Sequence, residues 1–154
     1  MREGFFGTAA PFYADLVLLL ELAMGLALLG GGFLARMGKF RIHAWCQSVV
    51  VLLNAVAIAL GMLPSFRYQV APKIPLKLGK LFFGLATAHA ALGAAVEAAA
   101  LYVLLAAGTT LLPEKLRLTR YKLWMRGVLA GWWAVLLLGM AIYARWYIPN
   151  LFRR

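Results

Sequence analysis

Three polar side chains, His43, Gln47 and Asn54, interrupt a run that is otherwise apolar enough for lipid, RIHAWCQSVVVLLNAVAIALGM from Arg41 to Met62. At about 100° per residue, spacings of four and seven bring them within roughly 40° of one another, so they form one stripe down a helix face. An unsatisfied polar group in hydrocarbon costs several kcal/mol, so the stripe must face protein, a cofactor or water. Glu21, His89 and Glu97 pose the same question in other apolar runs. Carboxyls and imidazoles relay protons inside membranes. An imidazole with a soft second ligand can hold haem iron. Any of these groups can also bond to a neighbouring helix and fix its register, at an average of about 0.6 kcal/mol per bond.

The elements that must position them follow from composition. With a mean hydropathy of +0.84, 64% hydrophobic residues and only 14% charged ones, the chain reads as an integral membrane protein. Soluble domains carry about 25% charged residues. Apolar runs at 13–35, 42–63, 81–107 and 123–147 are each long enough to span a bilayer. They predict an all-α, antiparallel four-helix bundle forming a single transmembrane domain. The first run is too long for the apolar part of a cleaved signal peptide and is read as retained.

A net charge of +11 raises the question of nucleic acid, but the Lys and Arg residues lie at the ends of the runs, where anionic lipid is the natural counter-charge. Lys115, Arg117, Arg120, Lys122 and Arg126 form a polybasic segment suited to lipid headgroups. The first and third connections hold eight of the sixteen cations, more densely spaced than the rest. Glu3 and Asp15 lie on the other side, which favours termini outside a cytoplasmic membrane. The single Cys46 excludes an internal disulfide, and no His or Cys spacing of a metal site and no nucleophile constellation is present, so neither a catalytic nor a metal site is expected.

The first connection, RMGKFR, reads as a tight basic turn. The second, PSFRYQVAPKIPLK, carries Pro64, Pro72 and Pro75 and predicts an irregular segment on the membrane surface. Phe5, Phe6, Phe12 and Tyr13 are expected at headgroup depth, with Asp15 reaching water or a basic neighbour. Gly84 with Ala88, and Gly93 with Glu97, are spaced for close helix approach.

Counting inward from the face that holds the termini, Glu21 and His89 lie eight residues deep, Asn54 nine and Met140 seven. At 1.5 Å per residue they share one layer to within about 3 Å. Gln47 and Glu97, sixteen deep, make a second pair, and His43 lies deeper still. His43 and His89 are then roughly 18 Å apart along the normal and cannot ligate one iron. A haem b on His89 would need Met140, and one near His43 a ligand from elsewhere. Three readings stay open: polar layers that fix helix packing, a haem- or quinone-binding subunit, and a proton path through Glu21, His89 and Glu97.

The R-I-H at the start of the second run, the H-A-A-L-G of the third, and the Y-K-L-W-M-R and G-M-A-I-Y-A-R-W-Y of the fourth resemble a family of small bacterial and archaeal membrane proteins. That family is of largely unknown function and includes the CtaM-type maturation factors of haem-copper oxidases. The resemblance covers roughly Arg41 to Tyr147. It implies an accessory or assembly protein of a respiratory or electron-transfer complex, with partner membrane subunits, and marks His43 and His89 as the matching histidines.

Overall fold

A computed structural model describes residues 4–110, 112, 113, 115 and 119–148. Its four long helices are α1 (Phe12–Arg36), α2 (Phe40–Lys77), α3 (Leu81–Gly108) and α4 (Tyr121–Tyr147), each long and apolar enough to cross a membrane. No strand occurs among the described residues. The protein is a multi-pass, all-α four-helix bundle. Helix α1 packs on α2 and α4, and α3 packs on α4 and α2, so the helices close a ring in which chain neighbours are space neighbours. Outward faces carry large apolar side chains, among them Leu26, Phe33, Leu52, Leu60 and Leu137, all more than half exposed. Such a surface suits a membrane interior or a protein partner rather than water.

Three helices begin and end within two residues of the apolar runs, because nothing in those runs competes with backbone hydrogen bonding. The turn between α1 and α2 is as tight as its sequence predicts. Gly38 takes φ +76°, and the Lys39 amide reaches back to the Leu34 carbonyl, closing the end of α1 as a left-handed glycine cap does.

Helix α2 overturns the expectation of an irregular proline-rich segment. It continues without interruption to Lys77, with π-helical turns at Ile58–Met62 and Phe66–Val70 and a 3-10 turn at Ala71–Lys73. Each π turn immediately precedes a proline-bearing step: the Leu63 amide bonds to the Ile58 carbonyl just before Pro64, and the Ala71 amide to the Phe66 carbonyl just before Pro72. In a regular helix a proline ring presses on the carbonyl four residues back. Widening the preceding turn by one residue relieves that contact, so the helix passes both prolines instead of ending.

The core is apolar and off-centre. Met24 and Leu28 of α1, Val50 of α2, and Trp132 and Leu136 of α4 form one buried cluster. It occupies the half of the bundle nearer the α1–α2 turn. The other half is not filled.

Candidate functional site

That unfilled half is a partly open cavity of about 340 Å³ bordered by all four helices. Its lining runs from exposed Ser65 and Gln69 at the terminal face to buried Glu97, Trp132 and Leu136, the last two shared with the core and forming the floor. The first π turn contributes Ile58, Gly61 and Met62. A Cβ on Gly61 would collide with the Tyr13 hydroxyl, so the glycine is what lets Tyr13 of α1 span to α2 at the outer end.

Glu21, Asn54, His89, Glu97 and Met140 all line this one space. The Asn54 amide donates to Glu97 Oε2 at 2.8 Å, and both residues are only 7% exposed. Glu97 Oε1 and Glu21 Oε1 are buried and have no hydrogen-bond partner among the described residues. His89 is held against α4: Nδ1 lies 3.1 Å from the Val135 carbonyl oxygen, and the ring sits over Gly139, where a Cβ would come within 3.1 Å of Cε1. Val96 over Gly131 and Val135 over Gly93 continue the same close α3–α4 approach. Gly84 takes no part in it, meeting only the Leu78 carbonyl within its own segment.

The expected layers are therefore corrected in one respect. Glu97 pairs with Asn54, and Gln47 instead donates to the Leu28 carbonyl of α1 at 3.2 Å. The cause is the length of α2. Counting took it to end at Leu63, whereas it runs on to Lys77, so the count understates the depth of Asn54, which its bond to Glu97 sets level with that residue.

His43 and Gln47 lie outside the cavity. His43 Nδ1 is 2.7 Å from the Gly31 carbonyl oxygen, and Cys46 Sγ donates to the Ala27 carbonyl at 3.4 Å. A Cβ at Gly31 would collide with the Gln47 amide. This part of the stripe zips α2 onto the backbone of α1 and seals the half of the bundle beneath the cavity.

Asp15, expected near water or a cation, is fully buried. The N-terminal arm folds back over the start of α1, so the Phe6 amide donates to Asp15 Oδ2 at 2.9 Å and the Tyr143 hydroxyl to Oδ1 at 2.5 Å. Thr8 Oγ1 lies 2.9 Å from the same hydroxyl, and the Ala9 amide donates to the Tyr147 carbonyl. Tyr143 and Tyr147 also line the cavity, so the arm is fastened to its outer rim. Sequence reasoning missed this cluster because an arm that folds back has no periodicity. The one signal was an acid in the first turn of α1, where helix-terminal charge favours it.

His89 and Met140 do not fit a haem between them. The His89 ring rests on the α4 backbone at Gly139, next to the residue that would supply the opposite axial ligand, and leaves no gap for a macrocycle. No group of three or more His, Cys, Asp or Glu among the described residues is close enough to hold a metal ion. Lys115, Arg120, Lys122 and Arg126 are exposed before or at the start of α4, while Arg117 lies outside the described residues. The cavity thus brings together two carboxyls, an amide and an imidazole at membrane depth, a set able to bind protons and polar or cationic groups. No family model, curated protein or solved structure matches the chain.

Proposed function

We propose that this chain is a small proton- or solute-conducting membrane protein in which Glu97 and Glu21 bind the protons and His89 stands beside them. The observation that carries this reading is a pair of glutamates on different helices that line one cavity reaching the terminal face, each with one carboxyl oxygen buried and without a hydrogen-bond partner among the described residues. A carboxyl whose only role is to fix helix packing has its oxygens bonded across the interface. Here one oxygen of each carboxyl has no such bond among the described residues. At hydrocarbon depth a carboxylate holds its charge only when water or a cation shares its space, so its proton occupancy follows what enters.

With the dense basic connections cytoplasmic, the cavity takes its contents from outside. Lys115, Arg120, Lys122 and Arg126 then lie against anionic headgroups of the inner leaflet.

The test is proton flux in liposomes loaded with a pH-sensitive dye and driven by a potassium diffusion potential. Glu97→Gln and Glu21→Gln are expected to abolish or strongly reduce it. Both variants preserve packing, since a Gln at 97 can still accept from Asn54 and Glu21 Oε1 has no bond to lose. Flux equal to the wild type in both would refute the reading. A wild-type protein with no flux that co-purifies with a respiratory complex in mild detergent would support the accessory role instead.

A further inference from the structure

Resting on that reading, we infer that the solute is a weakly hydrated organic cation, bound between Glu21 and Glu97 in place of a proton. Among the described residues lining the cavity the only acids are these two, and no Lys or Arg joins them. The positive charge of the chain lies elsewhere, so the cavity is a local negative site inside a basic protein. Glu97, only 7% exposed, lines this cavity with no cation beside it, and of its two carboxyl oxygens only Oε2 has a hydrogen bond among the described residues, from Asn54.

The remaining lining decides which cation. A hard inorganic ion needs six or more oxygen ligands at about 2.3–2.6 Å if it resembles calcium, or keeps its own waters. Side-chain oxygen ligands come only from Glu21, Glu97, Asn54, Ser65, Gln69 and the tyrosine hydroxyls, and Val17, Leu18, Ile58, Val96, Val135 and Leu136 offer no ligand. No group of three or more His, Cys, Asp or Glu among the described residues could hold a metal ion. A substituted ammonium has low hydration and an apolar body, which suits such walls. Tyr13, Trp132, Tyr143 and Tyr147 add aromatic rings of the kind that bind quaternary ammonium groups. A volume of about 340 Å³ lies at the small end of ligand pockets, so the cation is small, with one aromatic ring or a few alkyl groups.

Binding is an exchange. The cation enters, a carboxyl gives up its proton, the ion pair forms and the proton leaves to water, so the cavity's net charge does not change. The titratable groups facing the pair are His89 on α3, Tyr13 on α1, and Tyr143 and Tyr147 on α4, with none on α2 among the lining residues. Of these only His89 ordinarily titrates near neutrality.

The experiment compares benzyltrimethylammonium with its uncharged carbon isostere, neopentylbenzene, by tryptophan fluorescence of the full chain in detergent, with proton release followed in weak buffer. We expect the cation to bind at least tenfold more tightly than the isostere and to release a proton. In Glu21→Gln/Glu97→Gln its affinity should fall to that of the isostere, while His89→Asn keeps the release. Equal binding of cation and isostere in the wild type would overturn the inference, and that comparison needs no variant. Cation binding unchanged in the double variant, or release lost with His89→Asn, would also overturn it. Glutamate-dependent proton flux without cation binding would sink this inference and leave the proton-conducting reading standing; cation binding without flux would do the reverse.

Discussion

Replacing Asn54 by leucine isolates the direct bond that holds the Glu97 carboxyl. Leucine is close in size, so packing changes little, while Glu97 Oε2 loses its 2.8 Å donor and neither carboxyl oxygen keeps a partner among the described residues. Leaving a buried polar group unsatisfied costs about 1–3 kcal/mol in soluble proteins. Interhelical bonds within membranes average about 0.6 kcal/mol, with a maximum of about 1.7. Since Glu97 borders a cavity that water can enter, the lower scale applies to the coupling. Asn54→Leu should therefore destabilise by about 1–2 kcal/mol, and its coupling to Glu97→Leu should be about 0.6–1.7 kcal/mol. The assay is unfolding by SDS in mixed micelles, followed by tryptophan fluorescence, for both single variants and the double. Glu97→Gln should stay near the wild type, since it still accepts from Asn54. A coupling indistinguishable from zero, or a stabilising Asn54→Leu, would refute the assignment of this bond.

Other substitutions probe separate contacts. Gly31→Ala places a methyl on the Gln47 amide and should destabilise the α1–α2 pairing; adding Gln47→Ala should restore most of the loss in the same assay. If the double variant is no better than the single, the collision is not the cause. Gly61→Ala should displace the Tyr13 hydroxyl and become better tolerated when Tyr13 is phenylalanine, as measured by thermal melting in detergent. Tyr143→Phe removes a donor to Asp15 and should free the N-terminal arm, seen as faster hydrogen exchange at the Phe6 amide; unchanged exchange would argue against the arm being fastened there.

The helices were legible because long apolar runs leave the chain no choice but to satisfy its own backbone. The cavity was legible only in part: Glu21, His89 and Met140 stand at similar depths by simple counting and line one space, but the count set Glu97 in another layer and left Asn54 too shallow to meet it. The bond partners were not, because they depend on where α2 ends, and prolines read as breakers. A corrective signal was present. From Pro64 to Lys77 the sequence has no Gly, Asn or Asp, the residues that turns ordinarily need, so three prolines alone were weak grounds for a loop. Close approaches such as Gly139 under His89 cannot be read from one helix, since the glycine acquires its meaning only from what the opposite helix places over it.

The two π turns in α2 bear on how the length of this chain can vary. Each holds one residue more than a regular turn requires. Deleting a residue within 58–62 or 66–70 would be absorbed as ordinary α-helix and leave both flanks facing as before. The same deletion near Asn54 would turn everything beyond it by about 100° and carry Ser65 and Gln69 off the cavity wall. The adjoining proline would then press on the carbonyl four residues back, so the helix would bend. The tolerance is to length and not to straightness. Within α2, a one-residue deletion is thus better absorbed in these two turns than near Asn54, inside a membrane-spanning helix.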